Sequence, residues 1–228
     1  MKTLLTVVPA VWLAACGMPG TTGPVVNEHH AVERGAATAA NVVIDMSAGD
    51  LDVNAGTTKL FEGDFAFNVP ALKPEIAYTV NGARGDLKVS QGSSSGNVEN
   101  RWRLSLDQAT PMDLTISLGA GDATVVLGQL DLRSLAIRLG AGDLKVDLRG
   151  TPAKSYAVKV QAGAGDTTIQ LPASAAISAS TSGLIGDSHV DGLEKRDGRW
   201  INPRAQESPV TVTLDVQHAI GDLRVSAE

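Results

Sequence analysis

Gly-Asp pairs recur along this chain at Gly49-Asp50, Gly85-Asp86, Gly121-Asp122, Gly142-Asp143, Gly165-Asp166, Gly186-Asp187 and Gly221-Asp222. The Asp-to-Asp steps are 36, 36, 21, 23, 21 and 35 residues, so the carboxylates return with a period. Periodic carboxylates support two kinds of chemistry. They cap backbone N–H groups at tight corners one or two residues on, where Gly supplies the positive φ that a side chain resists. They also bridge cations, and Asp122, Asp143 and Asp166 are the candidate calcium ligands, although the nonapeptide period of calcium-binding β-rolls is absent. Two ionised Asp stacked about 4.8 Å apart repel by about 3–4 kcal/mol at an effective dielectric of about 20. A hydrogen bond from a backbone N–H to a charged group returns about 1.5–3 kcal/mol. The two magnitudes are comparable, so both uses stay open; the corner cap, with no cofactor, is the expectation.

Other chemistry-bearing residues lack the context their chemistry needs. Gly92-Ser93-Ser94-Ser95-Gly96 has the spacing of a hydrolase nucleophile elbow at Ser94, but that elbow needs a strand before it and a helix after it. Asn97-Val98-Glu99 shows no helical period. His189 and His218 are the histidines of the folded region, and His29-His30 beside Glu28 is an adjacent pair that rarely converges on one ion. Arg84-Gly85-Asp86 spells an integrin-type tripeptide but coincides with a repeat of the Gly-Asp series. No Gly-rich run carries the Lys of a phosphate-binding loop. A non-enzymatic protein is the expectation.

The elements that must position these residues are strands. Hydrophobic residues are 43% of the 228, aromatics only 4%, with 24 glycines, which favours a Val/Leu/Ile core and many tight turns. The net charge is −6 and no long Lys/Arg run exists, so nucleic acid is not an expected partner. Leu114, Ile116 and Leu118 alternate before the Gly119–Asp122 corner, and Val125 and Leu127 after it. The same pattern surrounds Gly140–Asp143 and Gly163–Asp166. Strand, corner and strand at a period of 21–23 residues predict an all-β solenoid whose strands pair in parallel with their equivalents one period later. The 35–36 steps then hold an inserted hairpin or a coil whose corner has lost its place, and Gly63-Asp64 is an eighth pair that could mark one. A β-sandwich is the alternative.

The N-terminus has its own organisation. Met1-Lys2, an apolar run to Trp12, then Leu13-Ala14-Ala15-Cys16 make a secretory signal peptide over residues 1–15, too short to span a bilayer as a mature helix. Leu-Ala-Ala-Cys resembles the lipobox of bacterial lipoproteins, which implies that Cys16 becomes the acylated first residue. An ordinary signal peptide that happens to contain Cys is the alternative. Cys16 is the single cysteine, so no internal disulfide forms. Losing Lys2 takes the charge from −6 to −7, so the lipid, and not a basic patch, is what holds the protein to a membrane. Residues 16–40 read as a flexible tether and 41–228 as the solenoid domain.

Trp102, Leu104 and Leu106, followed by the three Gly-Ala-Gly-Asp repeats, resemble the bacterial toast-rack family. That family is related to the C-terminal domain of LiaF-type cell-wall-active antibiotic response proteins and, more loosely, to adhesin head domains. The resemblance covers residues 41–228. It implies a right-handed single-stranded β-helix-like fold and an envelope location, and brings no catalytic residues. The response proteins usually carry transmembrane helices ahead of the domain, where this chain has a lipobox, which puts direct control of a membrane kinase in doubt. The expected function is a lipid-anchored surface interaction module that meets an envelope protein or surface polymer, in envelope-stress signalling, with a calcium-stabilised adhesin-like head as the alternative. Mass spectrometry of the mature N-terminus is expected to find acyl mass on Cys16, and Cys16→Ala to release the protein from membranes; an unmodified Cys16 would sink this reading.

Overall fold

The computed structural model describes residues 22–94, 98–183 and 185–227; Cys16 and the signal peptide lie outside the described residues. The chain enters at strand β1 (Val26–Val32), followed by β2 (Ala39–Ala48) and β3 (Asp50–Thr57). Next come β4 (Phe61–Phe67), a one-turn 3-10 helix (Pro70–Leu72), β5 (Glu75–Asn81), β6 (Arg84–Ser90) and β7 (Asn100–Asp107). Three similar units follow: β8 (Met112–Ala120) with β9 (Ala123–Val126), β10 (Leu132–Ala141) with β11 (Leu144–Asp147), and β12 (Tyr156–Ala164) with β13 (Thr167–Leu171). The last strands are β14 (Ala176–Ser182), β15 (Ser188–Asp191), β16 (Glu194–Arg196), β17 (Arg199–Ile201), β18 (Thr211–Ile220) and β19 (Leu223–Ala227).

These strands form two large open sheets, and neither closes into a barrel. The nine-stranded sheet runs β1-β4-β7-β3-β9-β11-β13-β19-β15, and the ten-stranded sheet runs β16-β17-β14-β18-β12-β10-β8-β2-β6-β5. Each corner passes the chain from the second sheet to the first, so every repeat contributes one strand to each. Pairing between repeats is parallel and in register: Leu135 stands between Leu114 and Val158, and Ile137 between Ile116 and Val160. All six are buried between the sheets. Alternation explains the arrangement, because successive side chains of a strand point to opposite faces and only one face is apolar. The three phenylalanines and Trp102 collect at one end, where Phe65 and Trp102 meet edge to face at 5.2 Å.

Chain order and spatial order coincide over the steps from Asp122 to Asp143 and from Asp143 to Asp166, but not over the 21-residue step from Asp166 to Asp187. A single continuous solenoid would keep them the same throughout. Instead β8/β9 packs on β2/β3, leaving β6/β7 on the far side, and β18/β19 slots between β12/β13 and β14/β15. The skips occur in the short connections from β7 to β8 and from β13 to β14, whereas the long connections, from β3 to β6 and from β15 to β18, join neighbouring layers. The extra length is taken up by β4 and β5 in one case and by the β16–β17 hairpin in the other, all pairing antiparallel at the ends of the sheets.

Two expectations are corrected here. Residues 26–32 are not tether: β1 pairs antiparallel with β4 along its whole length, from Val26 opposite Phe67 to Val32 opposite Phe61. It lies at the edge of the sheet with a largely exposed, polar sequence, so no apolar alternation announced it. β2 likewise begins at Ala39, inside the expected tether. Among the described residues, no helix is long and apolar enough to cross a membrane.

Tyr156, at the start of β12, is buried, and burial pushes its phenol up to about 12 from an ordinary 10.0 by disfavouring the phenolate. The fold holds the neutral phenol, so its contribution is complete below pH 10 and is lost as pH rises through about 12. Two pH units correspond to about 2–3 kcal/mol. Denaturant melts across this window are expected to show that loss, and Tyr156→Phe to remove it; equal alkaline losses in both proteins would contradict it.

Candidate functional site

The corner between the two sheets brings the Gly-Asp pairs together. Parallel pairing continues straight through it: Gly121 N–H donates to the Ala141 carbonyl at 2.8 Å, and Ala123 N–H to the Asp143 carbonyl at 2.9 Å. The layers stack in the order Gly49, Gly121, Gly142, Gly165, Gly221, Gly186, each glycine lying against the carbonyl of the one before. Gly142 shows why no other residue fits. Its φ is +125°, and a Cβ there would lie 2.0 Å from the Gly121 carbonyl oxygen.

The aspartates form a second column beside the glycines. Asp143 N–H donates to Asp122 Oδ1 at 3.0 Å, and Asp166 N–H to Asp143 Oδ1 at 2.9 Å. Asp222 N–H donates to Asp166 Oδ1 at 3.0 Å, and Asp187 N–H to Asp222 Oδ1 at 3.1 Å. Each carboxylate thus caps the neighbouring layer and not its own turn, which corrects the expected local closure. The reason is geometric: with layers in register, the next layer's N–H is the donor within reach. Asp50 opens the column, with the Arg101 Nε at 3.4 Å from its Oδ2.

Gly85-Asp86 does not belong to the column. It lies inside β6, paired with Val80 and Thr79 of β5, and Gly85 has no positive φ. The turn is made earlier, at Gly82 with φ +62°. Arg84 reaches Asp113 at 3.2 Å, so the tripeptide is a strand segment. In the β6/β7 layer β6 ends at Ser90 and β7 begins at Asn100, which takes the place beside Gly49. The Asn100 amide donates to the Ala48 carbonyl and, at 3.2 Å, to Gln91 Oε1. Gly63-Asp64 also lies within a strand, β4.

The remaining candidates are scattered. Ser94 lies in an irregular segment after β6, and residues 95–97 lie outside the described ones. His189 is on β15, whereas His218 is buried and holds the Gly165 carbonyl through Nε2 at 2.8 Å. His29 pairs with Asp64 at 2.8 Å and His30 with Glu28 at 3.0 Å. Among the described residues, no three His, Cys, Asp or Glu side chains converge to hold a metal ion.

Sequence reasoning missed a groove next to the corner. It crosses the outer face of the ten-stranded sheet with a volume of about 700 Å³. Its floor is Ser47, Gly119, Gly140 and Gly163, and its wall includes Arg138, Gln161 and Gln217. These three are linked, Arg138 Nε to Gln161 Oε1 at 3.2 Å and Gln161 Nε2 to Gln217 Oε1 at 2.9 Å. The signal was the first glycine of each Gly-Ala-Gly-Asp. Gly140 makes no left-handed turn; it is small because a Cβ would lie 2.2 Å from the Gly119 carbonyl oxygen. Beyond the groove, Ala120, Ala141 and Ala164 lead to Ile220 and Ile185, which are 55% and 70% exposed.

Two open sheets joined by a glycine-and-aspartate corner, whose carboxylates accept backbone N–H groups, define an all-β repeat protein. The chain belongs to the toast-rack family: residues 21–170 match the family described as the N-terminal domain of toast_rack, DUF2154. No curated protein gives a significant sequence match. Among solved structures, the chain is similar to a protein of Clostridium sporogenes described as a "putative cell adhesion protein", with a TM-score of 0.82 at 24% identity over 90% of this chain and 100% of that one. That likeness is one of fold. A "putative adhesin" of Bacteroides fragilis aligns over 88% of this chain and 96% of its own with 12% identity and a TM-score of 0.36.

Gly142→Ala is expected to cost at least about 2 kcal/mol, through left-handed strain and collision with Gly121. Asp143→Ala, which leaves the Asp166 N–H to water, is expected to cost about 0.5–1.5 kcal/mol. Asp143→Asn keeps the acceptor and is expected to lie within about 0.5 kcal/mol of the parent, with calcium or with chelator. A loss for Asp143→Asn that depends on calcium would assign the column to a cation.

Proposed function

We propose that this protein is a non-enzymatic, lipid-anchored module of the bacterial cell envelope that presents its corner face to an envelope protein or surface polymer. The observation that carries this reading is the groove and ridge running across successive layers at that corner. Their floor is main chain and small side chains, and the flanking Arg138, Gln161 and Gln217 offer hydrogen bonds to an extended partner. Such a surface suits a long ligand gripped at many equivalent points better than a small substrate enclosed at one. Family membership and the lipobox at Cys16 support the envelope location, and a role in envelope-stress signalling follows from the relatedness of toast-rack proteins to antibiotic-response proteins.

An adhesin-like head is the second reading. The fold likeness to the Clostridium sporogenes protein, described as a cell adhesion protein, favours it. Both readings need a surface partner, and they differ in whether that partner belongs to the same cell.

Binding of the purified full chain to envelopes of its own cells is expected to saturate. The double variant Arg138→Ala, Gln161→Ala is expected to weaken it about tenfold, equivalent to about 1.4 kcal/mol, with unchanged thermal stability. Binding that never saturates, or that survives the double variant intact, counts against the corner face as the contact surface. Saturable binding to foreign cells alone would favour the adhesin reading.

A further inference from the structure

The end of the fold where the chain enters carries an apolar hollow that neither the core nor the corner uses. It has a volume of about 440 Å³, and its lining includes Pro24, Val26, Phe67, Val69 and Pro70. Val25 and Val26 beside it are 49% and 44% exposed, among the few large apolar side chains left in solvent. The hollow is set by backbone contacts. Gly23 N–H donates to the Asn68 carbonyl at 2.9 Å, which pins the entering chain along the rim. On the other side Lys73 Nζ meets Glu28 Oε1 at 2.8 Å, so the two charges of the rim neutralise each other.

We infer that this end of the stack rests on the lipid bilayer, with Val25, Val26 and the hollow beside them in contact with the lipid surface. The inference rests on the lipid anchor at Cys16 proposed above. Three observations favour the bilayer as occupant. Seven residue steps separate Cys16 from Gly23, and a fully extended chain of that length reaches about 25 Å at most. An anchored domain therefore keeps the rim of the hollow close to the membrane whatever its orientation. Exposed apolar surface rimmed by polar groups is what membrane-contacting faces display. The charge then selects the orientation. The chain is −6 overall, and Asp122, Asp143, Asp166, Asp222 and Asp187 stand exposed in one column, a face that anionic headgroups repel. The hollow, with its only two lining charges paired, meets no such barrier.

This orientation has a consequence for the proposed function. β1 is the first and β15 the last strand of the nine-stranded sheet, eight strand spacings apart, or about 38 Å at about 4.8 Å each. With the β1 end on the membrane, Ile185 and Ile220 are held away from it, and the corner groove runs outward from the surface. A partner then meets the groove along its length without competing with lipid.

The test uses the full lipoprotein reconstituted in vesicles of phosphatidylcholine with anionic phosphatidylglycerol. Cys16 is the chain's single cysteine, and once acylated it takes no thiol label. Val26→Cys therefore accepts one fluorophore at the hollow, with Val25→Cys as a second site if the first variant folds poorly. Ile185→Cys accepts one at the far end. Nitroxide-bearing lipids are expected to quench the label at position 26 or 25 several-fold more than the label at 185. Mass spectrometry and vesicle flotation are run on the same samples. Acylated, vesicle-bound protein whose labels at 26 and 25 are no more quenched than that at 185 overturns the orientation and leaves the anchor standing. Unacylated protein that stays in solution overturns the anchor, and the orientation with it.

Discussion

Register between layers is the constraint on which the rest of this structure depends. The parallel ladder does not stop where the chain bends from one sheet to the other; it runs through the bend. That is possible only if the bend has no side chain on its inner side, because each layer lies against the carbonyl of the one before. Glycine at the corner is thus a steric requirement of stacking as much as a conformational one. The aspartate beside it extends the ladder by one more rung, its carboxylate accepting the N–H of the equivalent residue next door. Charge repulsion along the column is opposed by these hydrogen bonds and by solvent, since the carboxylates are exposed.

From register follow the core and its ends. Equivalent residues stack on one another, so a position that is Leu or Ile in one layer is apolar in the next, and the space between the sheets fills with aliphatic side chains of similar size. Phe61, Phe65 and Trp102 cluster at the end where β4 and β7 pair antiparallel and the repeat is broken. The ends also carry the antiparallel strands inserted in the long connections, β4, β5 and the β16–β17 hairpin. Open edges of parallel strands invite further pairing, and antiparallel β1, β5 and the β16–β17 hairpin cover much of that edge.

The same constraint shapes the surface. Tight stacking strips side chains from two columns near the corner, leaving a groove with a main-chain floor, and the alanines and isoleucines that follow form a ridge beside it. The aspartates of the column accept amide donors through Oδ1, and His218 holds a carbonyl through Nε2. Beside these groups runs a long face of repeated geometry.

The sequence alone determined the strands and the parallel repeat between residues 112 and 171, the family and six of the seven corners, because period-two alternation and a spacing of 21–23 residues are local signals. Gly85-Asp86 was misread because the dipeptide is the same in a corner and in a strand; only its pairing with β5 tells them apart. β1 was missed because an exposed edge strand needs backbone partners and no apolar face. The crossovers, the aspartate bonds between layers and the groove were decided by tertiary structure. Each depends on which layer lies beside which, and residues 35 or 56 apart become neighbours only after the stack has formed.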